Sequence, residues 1–355
     1  MSTGLDARLR LSRGDTFTLD IELAIGAGST AALLGPNGSG KSTTVGALAG
    51  IHPIDEGHIR LGDRVLDDPV TGTFVAPEHR RVGVVFQRYL LFEHLDVTDN
   101  VAFGPASAGL RRRPARAAAR RWLEALDLAD LADRRPSQLS GGQAQRVALA
   151  RTLAAEPEAL LLDEPLAALD VATRAQLRRT LRTHLDGYPG PRLLITHDPT
   201  DAFLLADRIH VIEDGRITQT GTPDQIRRSP ATTYVAALAG LNLLTGTSEA
   251  GTISVCDHRL TLHAADTHTV GEVLVTIAPN AIALHLEQPH GSPRNSWPTI
   301  VEAVEPLGEI TRVTLGEPVG LGVDITPGAA QSLALVPGAA VWASVKATEI
   351  SVNPS

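Results

Sequence analysis

The run Gly35-Pro-Asn-Gly-Ser-Gly-Lys41-Ser42 constrains this chain more than any other feature. It follows a short apolar segment, Ser29 to Leu34, and precedes a stretch from Lys41 to Leu48 that reads as a helix. Strand, glycine loop and helix in that order form the context of a phosphate-binding loop, G-x-x-x-x-G-K-[ST]. Glycines let backbone N–H groups turn inward onto phosphate oxygens. The helix adds the positive end of its dipole. Lys41 is one of only two lysines among 32 Lys and Arg residues. A compact ammonium fits a tight loop around a phosphate chain, where a planar guanidinium does not. The pattern sets Gly35, Pro36, Asn37, Gly38, Ser39, Gly40, Lys41, Ser42 and Thr43 around a triphosphate, with Ser42 available to Mg²⁺.

A chain of 355 residues predicts about two or three domains. The net charge of −8 argues against a nucleic-acid partner, which needs a basic surface. The triplet Arg111-Arg-Arg113 does not change this, because acidic residues follow it closely and a solvated helix face explains it. One cysteine, Cys256, leaves no intrachain disulfide and fits a reducing compartment. The start carries no basic segment followed by an apolar run. No stretch of about 18 apolar residues spans a bilayer. Membrane association is therefore expected to be peripheral, at the cytoplasmic face, through a partner.

The order of elements predicts an α/β fold. Val82 to Phe86, Ala159 to Leu162 and Leu193 to Thr196 read as buried strands. A helical stretch from Arg111 to about Asp133 carries Leu123, Leu126, Leu128 and Leu131 as its apolar stripe, and a helix from about Val171 to Leu185 separates the last two strands. Alternating strands and helices imply a mostly parallel sheet. Val211 to Glu213 and Arg216 to Gln219 form a hairpin around Asp214-Gly215. After about Gly240 the helical patterns give way to short alternating segments broken by Gly and Pro, which predicts a small all-β barrel.

Two further motifs carry chemistry. Leu160-Leu-Leu-Asp163-Glu164 ends a buried strand in two adjacent carboxylates. Asp163 suits a Mg²⁺ shell and Glu164 can polarise an attacking water, the division of labour that phosphoryl transfer needs. Leu139-Ser140-Gly141-Gly142-Gln143 opens a helix running through Arg151, a second anion cradle at a helix N-terminus. With these motifs in order, the chain resembles the ATP-binding cassette (ABC) ATPases. The resemblance implies a P-loop ATPase domain with a helical subdomain, working as a homodimer that encloses two Mg-ATP head to tail. It assigns Ser140, Gly141, Gly142, Gln143 and Asp170 to the partner's ATP. Gln87 takes the place of the Gln that senses Mg²⁺ and the membrane partner. His197, in Ile-Thr-His-Asp, takes the place of the His that contacts the γ-phosphate. Catalysis then falls to Glu164, His197 and Gln87, and Mg²⁺ to Ser42, Gln87 and Asp163. An aromatic residue for stacking on adenine is absent at the expected distance, where Leu11 and Ser12 stand; Phe17 is the nearest, and it equally suits packing within a strand.

The segment Tyr89 to Gly104 resembles the surface of importer ATPases that receives a helix of the membrane subunit. The C-terminal region, with Ser292-Pro-Arg294-Asn295 and Lys346-Ala-Thr348, looks like the molybdate-binding type of OB-like barrel (TOBE/Mop). The whole chain is then similar to the ATP-binding subunits of molybdate importers. Expected boundaries are 1–235 for the ATPase domain, with the helical subdomain at about 88–150, then 236–289 for a β-rich connection and 290–355 for the barrel. Expected partners are a second copy, two membrane permease subunits and an extracytoplasmic molybdate-binding protein. Ser292, Arg294, Asn295, Lys346 and Thr348 are the candidate oxyanion ligands. An importer ATPase for sulfate, iron or a sugar remains open, as does tungstate as cargo. So does a C-terminal domain that senses cytoplasmic oxyanion, or one that serves only as a dimer contact.

Overall fold

The computed structural model describes residues 4–14, 17–86, 89–167, 171–249, 251–255, 259–265, 268–291 and 293–354. It divides into two compact units, 1–223 and 224–355.

The first unit is built on an 11-stranded mixed sheet among the described residues. Five neighbouring strands run parallel, in the order Val82–Val85, Ala159–Asp163, Arg192–Ile195, Thr30–Leu34 and Arg208–Glu213. They are continuous apolar runs because helices cover both faces of a parallel sheet. Ala159–Asp163 shows this directly. Ala159 and Leu161 enter one core beside the glycine-loop helix Lys41–Ala49, and Leu160 and Leu162 enter a second beside the helices. Beyond Arg208–Glu213 the sheet becomes largely antiparallel. Leu5–Arg13 and Phe17–Ile25 pair across their whole length, from Leu5 with Ile25 to Arg13 with Phe17. Their strict alternation places Leu5, Ala7, Leu9, Leu11, Leu19, Ile21, Leu23 and Ile25 inward.

The helical insert comprises Val97–Ser107, Arg112–Ala125 and Gly141–Ala154. Arg112–Ala125 buries only Ala115, Ala119 and Leu123, one narrow stripe at a spacing of four. The stripe expected around Leu123, Leu126, Leu128 and Leu131 is buried, although the α-helix itself stops at Ala125 and a 3₁₀ turn, Ala129–Leu131, finishes the segment.

Among the described residues the second unit holds two five-stranded antiparallel sheets around one core. The terminal strand Ile350–Pro354 pairs with Gly271–Ile277 and completes the sheet begun by Asn242–Glu249. Residues 236–289 contribute strands and core residues to this unit. The division between units falls at Pro223/Asp224, ahead of the expected 235/236 boundary.

Candidate functional site

Three loops leave the C-terminal ends of adjacent parallel strands. The glycine loop follows Thr30–Leu34, Glu164 follows Ala159–Asp163, and His197 lies just past Arg192–Ile195. Leu33 and Asp163 both register with Ile195, so the three strand ends lie side by side. This is where open α/β sheets bind ligands.

The glycine loop is tightly specified. A Cβ on Gly35 would stand 2.2 Å from the Ile212 carbonyl oxygen and 2.6 Å from Ser39 Oγ, so no side chain fits. Gly40 sits at φ 108 as the N-cap of the helix, a conformation that L side chains rarely adopt. Lys41 is buried, and its Nζ donates to the carbonyls of Gly35 (2.7 Å) and Pro36 (2.8 Å). An ammonium has three donors, so one remains for an anion. Burial lowers the Lys41 pKa, opposed by the charges of Glu164 and Asp163.

A cavity of about 410 Å³ opens over this loop. Asn37, Gly38, Gly40, Lys41, Ser42 and Thr43 line it from one side, Asp163 and Glu164 from another, and Arg13 and Phe17 from a third. Phe17 also opens the strand Phe17–Ile25 and packs against the core. Arg13 ends a strand and carries no motif of its own, so no sequence signal points to it.

Asp163 is buried, and its carboxyl is pushed up to about 6 by desolvation and by neighbouring Glu164, against the pull of Lys41. Glu164 occupies the left-handed region at φ 51. One carboxylate oxygen lies 3.0 Å from His197 Nδ1. Its backbone N–H donates to the Ile195 carbonyl (2.9 Å), and its carbonyl accepts from Gln145 Nε2 (2.9 Å). Gln145 thus touches the Glu164 backbone, a contact the sequence does not point to. Asp163 and the Ser42 hydroxyl form a hard-oxygen donor set, the kind that suits Mg²⁺. A cation there would relieve the charge that burial disfavours at Asp163. Gln87 and Asp170 lie outside the described residues.

Ser140 and Gly141 are exposed at the start of the helix Gly141–Ala154. Ser140 Oγ accepts from the Gln143 N–H, and Gln143 Oε1 accepts from the Ser140 N–H, a reciprocal cap. Gly142 occupies the same first turn. The cap holds the Ser140 hydroxyl at the mouth of the helix and engages the Gln143 side-chain oxygen.

In the segment that resembles the membrane-subunit contact, Phe92 and Phe103 pack at a tilt with ring centroids 4.5 Å apart, and Leu90 and Phe103 are exposed. Buried Asn100 shapes this patch. Its amide accepts from Phe92 N–H and donates to the carbonyls of Phe92, Leu95 and Asp96.

In the second unit the described oxyanion candidates do not all line one cavity. A cavity of about 260 Å³ is lined by Lys346 together with Pro293, Ser344 and Glu349, but not by Arg294, Asn295 or Thr348. Arg294 and Thr348 are exposed, and Ser292 lies outside the described residues. Asn295 corrects the expectation outright. It is buried, its Nδ2 donates to the carbonyls of His263 and Val345, and its Oδ1 accepts from the His263 N–H. Both amide protons are spent on the backbone, so this side chain has no donor left for an anion.

Residues 18–167 match the family model described as ABC transporter, and residues 291–352 match the TOBE domain. A molybdenum import ATP-binding protein, ModC, of Mycobacterium tuberculosis is 44% identical, across 95% of this chain and 94% of its own length. A sulfate/thiosulfate import ATP-binding protein, CysA, of Salmonella typhi is 42% identical across 88% of this chain and 85% of its own length. The dimeric structure of MJ0796, a bacterial ABC transporter cassette, superposes with a TM-score of 0.54 at 27% identity, covering 62% of this chain and 98% of that one.

Proposed function

We propose that this chain, which belongs to the ABC transporter family and is an import ATPase that binds and hydrolyses ATP, powers the uptake of molybdate. The observation that carries the ATPase site is the convergence of Lys41, Asp163, Glu164 and His197 at three adjacent strand ends. Molybdate is favoured by a relative of that stated cargo, similar over nearly the whole chain. The sulfate importer relative is only slightly less similar, which makes sulfate the second reading.

In the proposed mechanism, Lys41 and the amides of residues 35–43 hold the β and γ phosphates. Phe17 lines the same cavity and supplies a face for the adenine. Asp163, Ser42 and Gln87 would hold Mg²⁺, which neutralises charge on the phosphates when bound. Glu164 accepts the proton of the attacking water. His197 Nδ1 stays on Glu164, leaving Nε2 to face the γ-phosphate. Two copies pair head to tail, a reading supported by the dimeric state of the similar MJ0796 cassette. Ser140, Gly141, Gly142, Gln143 and Asp170 of each then act on the other's ATP. The Phe92–Phe103 patch of each copy receives a helix of one of two membrane permease subunits, and the chain works at the cytoplasmic face. An extracytoplasmic binding protein delivers the oxyanion.

Uptake of radiolabelled molybdate and sulfate by cells lacking the chain tests the cargo. Loss of molybdate uptake with sulfate uptake intact is expected; the reverse overturns the assignment.

A further inference from the structure

Glu164 is held in a backbone conformation that its sequence resists. It is a non-glycine residue at φ 51, a region that L-residues resist because Cβ crowds the backbone. It also precedes Pro165, and a residue before proline is pushed toward extended conformations. Such a conformation persists only where the surroundings over-determine it. One restraint is the N–H bond to Ile195, which comes from the sheet itself. A second is Gln145, whose Nε2 donates to the Glu164 carbonyl at 2.9 Å. The Ala167 N–H also reaches that carbonyl, at a longer 3.3 Å.

Gln145 is almost fully buried. Its amide orientation is unambiguous, because only the NH₂ end can face a carbonyl. The Oε1 atom has no partner among the described residues. A buried, half-satisfied amide carries a desolvation cost that an apolar residue would avoid. Packing does not account for it, whereas fixing the Glu164 peptide does.

We propose that Gln145 is a positioning residue for hydrolysis: it locks the Glu164 peptide in its left-handed conformation and so aims the carboxylate at the attacking water. Gln145 stands on the helix whose first turn is capped by Ser140. In the head-to-tail dimer, that helix meets the partner's nucleotide at one end and holds its own subunit's base one turn further on. Engagement of one ATP is thereby relayed to the base of the other site. The inference rests on the assignment of Glu164 as the base. Glu164→Gln tests that assignment separately, and the variants below leave Glu164 intact.

Two substitutions of the full chain separate a donor from a packing residue. Gln145→Met keeps the volume and the apolar fit but has no donor. Gln145→His packs less well, yet its Nε2–H reaches about as far as the lost amide. A positioning role predicts that Gln145→Met lowers kcat at least tenfold with KM for ATP within twofold, and that Gln145→His recovers part of kcat. Thermal unfolding confirms that each variant is folded, and Gln145→Asn, which retracts the amide by one methylene, replaces Met where it is not. A crystal structure of the Met variant is expected to show Glu164 away from positive φ. A Met variant at the parent rate, a His variant slower than Met, or a loss confined to KM overturns the proposal.

Discussion

Glu164 and its neighbours show how a few side chains are prepared for one reaction. Its carboxylate is tied to His197, its peptide to Gln145 and Ile195, and Asp163 next to it carries a disfavoured charge. Glu164→Gln keeps the shape and the hydrogen-bonding reach but cannot accept a proton. ATP binding and ATP-dependent dimer closure are expected to survive, while turnover falls about 10²–10⁴-fold. Phosphate release and size-exclusion chromatography in ATP check the two halves; normal hydrolysis would remove Glu164 from its role. The charged and glycine residues of this site were legible in the sequence because their chemistry is local: a glycine loop before a helix, or two carboxylates after a strand. Gln145 was not legible, because its value depends on a carbonyl 19 positions away in sequence. Asn295 failed for the same reason in reverse. Its residue type suits an oxyanion, but the fold commits its amide to His263 and Val345.

The glycine-loop helix shows what holds such a site from behind. Lys41–Ala49 has no basic residue in its last turn, where a cation would favour the dipole. Arg80 supplies that charge from elsewhere. Fully buried, it donates to the carbonyls of Ala47, Leu48 and Val75 and pairs with Asp67 at 3.4 Å. Gly50 makes room, since a Cβ there would stand 2.4 Å from Arg80 Nε. Arg80→Met strips the helix end and strands Asp67 as an unpaired buried acid. A loss of about 3–5 kcal/mol is expected, read as a lower midpoint for the unfolding transition that ATP shifts. The hairpin Arg208–Glu213/Arg216–Gly221 supports the loop from the other side, through the Gly215 N–H to the Ser39 carbonyl at 3.1 Å. His210 is buried in that hairpin, bonded to Thr220, and burial together with the charge of Arg208 lowers its pKa to about 4. The unfolded chain takes up this proton near pH 6.5, whereas the folded one resists until about 4. Between those values the unfolded state binds more protons, so stability falls as pH drops from 6.5 to 4, by on the order of 3 kcal/mol. His210→Leu is expected to flatten that limb of the ATP-sensitive transition. An unchanged pH dependence would show that another group carries the acid sensitivity.

At the scale of the whole molecule, two units of different architecture differ in how openly the sequence declares them. The parallel strands were readable as apolar runs between helices. The pairing of Ile350–Pro354 with Gly271–Ile277 was not readable, because contacts between segments some 80 residues apart leave no local pattern. That pairing makes 224–355 one body and moves the oxyanion question from a motif to a cavity. Molybdate is a dianion and calls for several charge-assisted bonds. Lys346 is the only cation among the described residues that line the cavity, and Glu349 faces the same space with the opposite sign. Binding by the full chain should therefore hinge on Lys346. One charge-assisted bond is worth about 1.5–3 kcal/mol, so Lys346→Ala is expected to weaken molybdate binding about tenfold or more in calorimetry. Glu349→Gln removes the opposing charge and is expected to strengthen it. Equal heats from the parent chain and both variants would place the oxyanion outside this cavity. The absence of any heat with molybdate in the millimolar range would leave the second unit without a sensing role, and the cargo would then be chosen entirely by the membrane and extracytoplasmic partners.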